Sequence, residues 1–346
     1  MNFCSDNVTG VAPEIMQALA EANKGTAWPY GNDDWTRLVE AQLADIFERK
    51  VRAFPVATGT ATNSLALATM APPYAAVLAH EAAHVMVDEC GAPEFYTGGA
   101  KLIPVAGPSG KMSAEGVAAA ITKWRSSDPH QVPLAAISLT NATESGTVYR
   151  PDEVKAIADI AKAEGLRVHM DGARFANAVA SLAVPAKAVT WAAGVDALSF
   201  GATKGGAMAA ECVVFFDDKL AESFAYRRMR GGHLVSKMRF VSAQLNAFLA
   251  DGLWLKLARH ANAMAQRLAQ GLTRIPGARL VHPVEANELF VVLPPAVIKG
   301  LREAGAEFYD WAGEPNLIRL VTAWETEPAK VERFLKIAQE VAAKAA

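Results

Sequence analysis

The chain lacks the features that mark membrane, nucleic-acid or disulfide-bonded proteins. No stretch approaches the ~18 consecutive apolar residues of a membrane span, although 51% of its 346 residues are hydrophobic. The opening MNFCSDNVTG has neither a basic n-region nor an apolar h-region, so no secretory leader is expected. Three cysteines, Cys4, Cys90 and Cys212, are too few and too scattered for a disulfide framework. Cys212 sits in an apolar run, and a reducing compartment, the cytoplasm, is the expected setting. Excess charge of one sign is missing as well: 34 Lys and Arg face 36 Asp and Glu, a net charge of −2. That balance leaves no electrostatic footprint for nucleic acid or an anionic membrane. The expected partners are small molecules and copies of the chain itself.

What is present is enough apolar sequence for one large core and a smaller one, so two domains are expected, 1–245 and 246–346. Short apolar runs at 52–57, 75–79, 85–88, 101–105, 134–140, 167–171, 197–201 and 212–217 read as strands. Helical patterns such as 60–70, 113–125 and 151–164 separate most of them, and this alternation predicts a mainly parallel sheet with helices on both faces. A long helical stretch, 234–272, is expected to break near Asp251-Gly252 and to connect the domains. Beyond it, short strands (279–282, 288–293, 317–321) and helices (295–304 and 327 onward) fit a small α+β domain.

The most informative segments are RVHMDGARFANA and DALSFGATKGGAMAAECVVFF, which set an acid, Asp171, and an amine, Lys204, at the carboxyl ends of two strands. Open α/β sheets bind ligands at such ends. Small neighbours, Ala202, Gly205, Gly206 and Ala207, argue against a solvated surface lysine. An uncharged amine is a nucleophile, and a Schiff-base lysine with an aspartate for a pyridinium nitrogen is the protein's half of pyridoxal phosphate chemistry. A cap for the following helix is the competing reading of Asp171, against which His169 weighs. His169, two residues earlier on the same face, is expected either to hydrogen-bond the Asp171 carboxylate or to be a satisfied core histidine.

TGTATN, Thr58 to Asn63, follows a strand and opens a helix, where free backbone amides suit a phosphate. HEAAH, His80 to His84, matches the HExxH pattern of zinc peptidases, but two histidines at i and i+4 share a metal only on a helix. The flanking runs read as strands, so no metal is expected. His84 has a better use, as a flat ring against a cofactor or as an acid–base group near a substrate. Arg174 and Arg319 are candidate clamps for a substrate carboxylate. Arg319 interrupts the apolar NLIRLVTAW and needs an anion partner, either a ligand or a local carboxylate.

Taken in order, FCSDNVTG, YGNDDWT, TGTATN, AAHVMVDE, VHMDGARFANA, the Lys204 segment and LIRLVTAW resemble the L-threonine aldolases of low specificity, fold-type I pyridoxal 5'-phosphate enzymes. The resemblance spans nearly the whole chain. It implies an α/β, fold-type I transferase-like architecture and retro-aldol cleavage of threonine, allo-threonine and related β-hydroxy-α-amino acids. It implies Lys204 as the cofactor's lysine, Asp171 as its ring-nitrogen partner and His84 as the stacking ring. Gly59, Thr60, Ala61, Thr203 and Arg174 would also touch the cofactor, and Ser5, Arg174 and Arg319 the substrate carboxylate. Family members are tetramers or dimers with active sites at a subunit boundary, so Tyr30 would complete a neighbour's site. A β-phenylserine aldolase or a β-eliminating lyase would use the same lysine. Two departures stand out: where many members carry a second histidine this chain has Thr143 or Glu144, and a usual arginine is Val235, with Lys237 as a candidate substitute.

Overall fold

The structure, a computed structural model, describes residues 1–345. Seven strands form the large sheet: β1 (Arg52–Val56), β2 (Ala76–His80), β3 (Lys101–Val105), β4 (Leu134–Thr140), β5 (Arg167–Gly172), β6 (Ala197–Gly201) and β7 (Glu211–Phe215). Their order is β1-β7-β6-β5-β4-β2-β3, and β7 pairs antiparallel with both of its neighbours while the β6-to-β3 pairings are parallel. The central strands are buried almost end to end, as expected for a sheet covered on both faces. A four-stranded antiparallel sheet follows, β8 (Arg279–Leu280), β9 (Glu288–Val292), β10 (Tyr309–Asp310) and β11 (Leu317–Val321), ordered β10-β11-β9-β8.

The long helical stretch breaks where expected, after Arg239–Leu249, with Asp251 and Gly252 both at positive φ before the helix Leu253–Leu272. That second helix serves both cores. Its first turns place Leu253, Trp254 and Leu257 against the large sheet, and Met264, Leu268 and Leu272 join the small one. The N-terminal arm ties the two sheets a second time. Phe3 bonds Glu307 and Val321 through its backbone, and the Ala12 amide donates to Gly206 O at 2.8 Å. The arm therefore lays residues 5 and 6 across the loop that carries Lys204.

One expected strand is a helix. The run beginning at Val85 forms a single turn, His84–Val87, closed by the Asp88 amide on His84 O at 2.9 Å. Val85 is buried and Val87 is 59% exposed, and so short an apolar run carries no periodicity that separates strand from helix.

Candidate active site

The sheet's carboxyl edge gathers the chemistry. Asp171 lies one residue before the end of β5, and Lys204 follows the last residue of the adjacent β6 by three. Glycine lets the two loops pack this closely: a Cβ on Gly172 would meet Ser199 O at 2.7 Å, and one on Gly201 would meet Ala173 O at 2.6 Å.

Asp171 is 3% exposed. Its Oδ1 accepts the Ala173 amide at 2.9 Å, closing a turn, while the N-cap position of the helix Phe175–Leu182 falls to Arg174. Its Oδ2 accepts from Asn63 Nδ2 at 2.8 Å. The same amide nitrogen donates to Glu89 Oε1 at 2.8 Å, and that oxygen also holds His84 Nδ1 at 2.8 Å. A continuous polar chain thus runs from Asp171 through Asn63 and Glu89 to His84. The hydrogen bond that His84 donates to Glu89 raises the imidazole pKa more than burial lowers it. Burial in turn raises Glu89, against the pull of His84 and Asn63.

Of the two readings of His169, a bond to Asp171 and a satisfied core histidine, the structure selects the second. Side chains two apart on a strand share a face but stand roughly 7 Å apart. The ring bridges across strands instead, to Ser138 Oγ and Ser199 Oγ, each at 2.9 Å. Full burial pushes its pKa down to about 4, so the ring is neutral. It is a satisfied core histidine.

Lys204 is half-buried, and its charge acts on Asp6, His84, Glu211 and Glu288. Beside it, burial pushes Glu211 up to about 7 while its Oε2 accepts the Ala202 amide at 3.1 Å. Thr203 Oγ1 accepts the Ala210 amide at 3.2 Å and so pins the Lys204 loop. Thr58 caps the helix Gly59–Met70 by accepting from the Ala61 amide, which leaves the amides of Gly59 and Thr60, in the first helical turn, without an intrahelical acceptor.

On the other flank Arg174 is engaged by two buried carboxylates. Its Nε and Nη2 donate to Asp6 at 2.8 and 3.2 Å, and its Nη1 meets Glu288 at 3.2 Å. Burial alone would raise Asp6, but Arg174 and Lys204 outweigh it and hold its pKa low. Arg319 finds a local anion: Nη1 lies 3.4 Å from Glu288, Nη2 donates to Cys4 O, and the guanidinium rests over the Trp311 ring at 4.6 Å. Its Nε is buried without a partner. Ser5 Oγ accepts the Asn7 amide at 3.1 Å beside this cluster. Tyr30 stands apart, 49% exposed, with its amide on Ser236 O.

The HEAAH segment is strand, turn and then helix, so its imidazoles share no helical face. His80 Nε2 meets Gly107 O at 2.9 Å while His84 turns to Glu89. Sequence reading missed Asn63, Glu89, Asp6 and Glu288 as site residues. Asn63 closed the TGTATN motif and Asp6 adjoined Ser5, which were the available signals.

Residues 2–295 match the family model of the beta-eliminating lyases. The chain is 43% identical over 332 residues to a low specificity L-threonine aldolase of a Pseudomonas species, covering 96% of this chain and 95% of that protein. It is equally 43% identical to the Pseudomonas aeruginosa protein of the same name, over 98% and 96% of the two chains. The chain belongs to the beta-eliminating lyase family, among its threonine aldolases. The Leishmania major threonine aldolase structure superposes with a TM-score of 0.93 at 28% identity, covering 99% of both chains. Members of this family are lyases whose cofactor is pyridoxal 5'-phosphate. The donor set of this lyase fits that cofactor. A dry carboxylate held by Asn63, a lysine on the adjoining strand end, unpaired amides in the first turn after Thr58 and a part-exposed imidazole all open on one edge of the sheet.

Proposed function

We propose that the protein cleaves L-threonine, L-allo-threonine and related β-hydroxy-α-amino acids to glycine and an aldehyde. The observation that carries this reading is the Asp171–Asn63–Glu89–His84 chain beside Lys204, dry up to its part-exposed imidazole, in a protein 43% identical to low specificity L-threonine aldolases.

When bound, pyridoxal 5'-phosphate supplies an electron-withdrawing ring that stabilises negative charge at the substrate's Cα. Lys204 is the amine that would hold it, and Asp171, ordered by Asn63, would face its ring nitrogen. The unpaired amides of Gly59 and Thr60, with Thr203, would receive its phosphate, the Ala61 amide being held by Thr58, and His84 would lie along its face. Arg319 and Arg174, with Ser5, would orient the substrate carboxylate and so select which bond at Cα is cleaved. Arg174 is already clamped by Asp6 and Glu288, which makes Arg319, with its unpartnered Nε, the more available donor. The protein acts in the cytoplasm as a homotetramer or homodimer in which Tyr30 serves a neighbouring subunit. Exposed Trp28, Tyr30, Phe95 and Tyr226, at 77%, 49%, 78% and 80%, support such contacts.

Product analysis tests the reading. Glycine with acetaldehyde from L-threonine is expected. A keto acid with ammonia would instead assign a β-eliminating lyase, and turnover confined to phenylserine would narrow the substrate class.

A further inference from the structure

Glu144 belongs to the loop joining β4 to the helix Pro151–Ala163, and that loop is held from several sides. The Asn141 side chain brackets the Tyr149 backbone, donating at 3.2 Å and accepting at 3.1 Å. Thr143 and Thr147 bond through backbone at 2.9 Å and through their hydroxyls at 2.8 Å. Gly146 O accepts the amides of Glu285 and Ala286 at 3.0 and 3.1 Å. Gly146 itself has φ +75, and a Cβ there would fall 2.4 Å from Glu288 O, so only glycine fits. So firm a loop fixes where its acid points.

Glu144 Oε1 accepts the backbone amide of His84 at 2.7 Å, which places the carboxyl beside the stacking-ring candidate. Its Oε2 is buried with no hydrogen-bond partner. An orphaned carboxyl oxygen is costly unless something exchanges a proton or a hydrogen bond with it. The groups whose charge or polarity bears on it are His84 after β2, the Thr140 hydroxyl at the end of β4, which lowers its pKa, Asp171 and Arg174 after β5, and Tyr149 in its own loop. Burial first, and the Asp171 charge second, push its pKa up to about 7, so near neutrality it exists both as acid and as base. His84 is biased the other way. Glu89 favours its charged form, and an imidazolium has no lone pair left to accept a proton.

We propose that Glu144 is the acid–base residue for the substrate's β-hydroxyl, with the unpartnered Oε2 as the atom that takes the proton. This rests on the hydroxy-amino-acid reading above. In cleavage the hydroxyl O–H bond breaks toward Oε2, and its electron pair becomes the second C–O bond of the aldehyde. The Cα–Cβ pair stays with Cα, which takes up a proton to become the methylene of glycine. Glu144 returns its proton to solvent, and no oxidant or reductant is consumed. His84 keeps the roles of ring contact and amide donor to Glu144.

The test compares the holoenzyme with Glu144→Gln and Glu144→Asp. Exchange of glycine's Cα proton with deuterated water, followed by NMR, uses the cofactor site but no β-hydroxyl. In Glu144→Gln that exchange should stay within ~3-fold of the parent while kcat for L-threonine falls by ~10²-fold or more, with partial recovery in Glu144→Asp. The acid limb of the parent's kcat profile, near pH 7, should vanish in Glu144→Gln. The parent-minus-Glu144→Gln infrared difference should contain one protonated-carboxyl band that titrates near that pH, the Glu211 band cancelling because both proteins carry it. Threonine cleavage at the parent rate in Glu144→Gln, or equal loss of exchange and cleavage, overturns the proposal. Should Glu144→Gln not fold, an acid limb that moves in Glu144→Asp supports the assignment and an unmoved limb overturns it. A parent enzyme that exchanges glycine but does not cleave threonine sinks the aldolase reading instead, while the infrared titration still reports on Glu144.

Discussion

The two ends of the large sheet carry similar residue types in opposite states. At the amino end a cavity of about 900 Å³ is lined by Arg49, Lys50, Lys155, Arg167, Asp196 and Asp217 among others. Most of its charges are wet and paired: Arg167 bonds Asp196 at 3.0 Å and Asp217 at 3.2 Å, Lys155 bonds Asp159 at 2.7 Å and Lys50 bonds Asp218 at 2.8 Å. At the carboxyl end Asp6, Asp171 and Glu288 are 2%, 3% and 1% exposed, and several polar atoms around them have no partner. Dry, under-satisfied charge is what distinguishes the proposed working end, because desolvation shifts pKa values and strengthens every field there.

The sharpest way to break this contrast is Lys204→Ala, which should remove glycine formation and the cofactor's visible absorbance together while leaving the fold intact. Arg174→Ala comes next. It leaves buried Asp6 to the Asn287 amide and buried Glu288 to Arg319, a loss of about 3–5 kcal/mol measurable by denaturant unfolding. Asp6 has a depressed folded pKa, so its contribution is full above the unfolded value of 3.8 and disappears as pH falls through the folded one. The variant should therefore lose part of the parent's acid sensitivity. Arg319→Ala should raise KM for amino acids more than it lowers kcat, and an unchanged KM would make Glu288 its only purpose.

Glu89→Gln is subtler. Because the His84 pKa is raised in the fold, the pair's stabilisation is full below the unfolded value of 6.5 and is lost as pH rises through the folded value. The variant should bring the His84 titration, read by NMR, back down. The smallest effect belongs to the amino end: Arg167→Ala should cost no more than about 1 kcal/mol and leave kinetics untouched, since its exposed pairs are screened. A large kinetic effect there would erase the distinction between the two ends.

The sequence was legible where structure is local. Strand periodicity placed β5 and β6, the Asp-Gly and Lys-Gly-Gly turns located Asp171 and Lys204, and Asp251-Gly252 marked the helix break. It failed where a partner lies far along the chain. Asn63 serves Asp171 from 108 residues away, and Arg174 meets Asp6 across 168, so no window of sequence could pair them. His169 went to the cross-strand serines because register, not spacing along its own strand, decides which groups touch. Glu144 showed only as a departure from the expected histidine. Its burial and orphaned oxygen emerge from the packing of loops after β2, β4 and β5.

The most direct measurement is borohydride reduction of the purified holoprotein followed by mass spectrometry of its peptides. A pyridoxyl group on the peptide at Lys204, and absent after Lys204→Ala, is the expected result. A reduced cofactor on any other lysine, or on none, would contradict the placement of the reaction at this edge of the sheet.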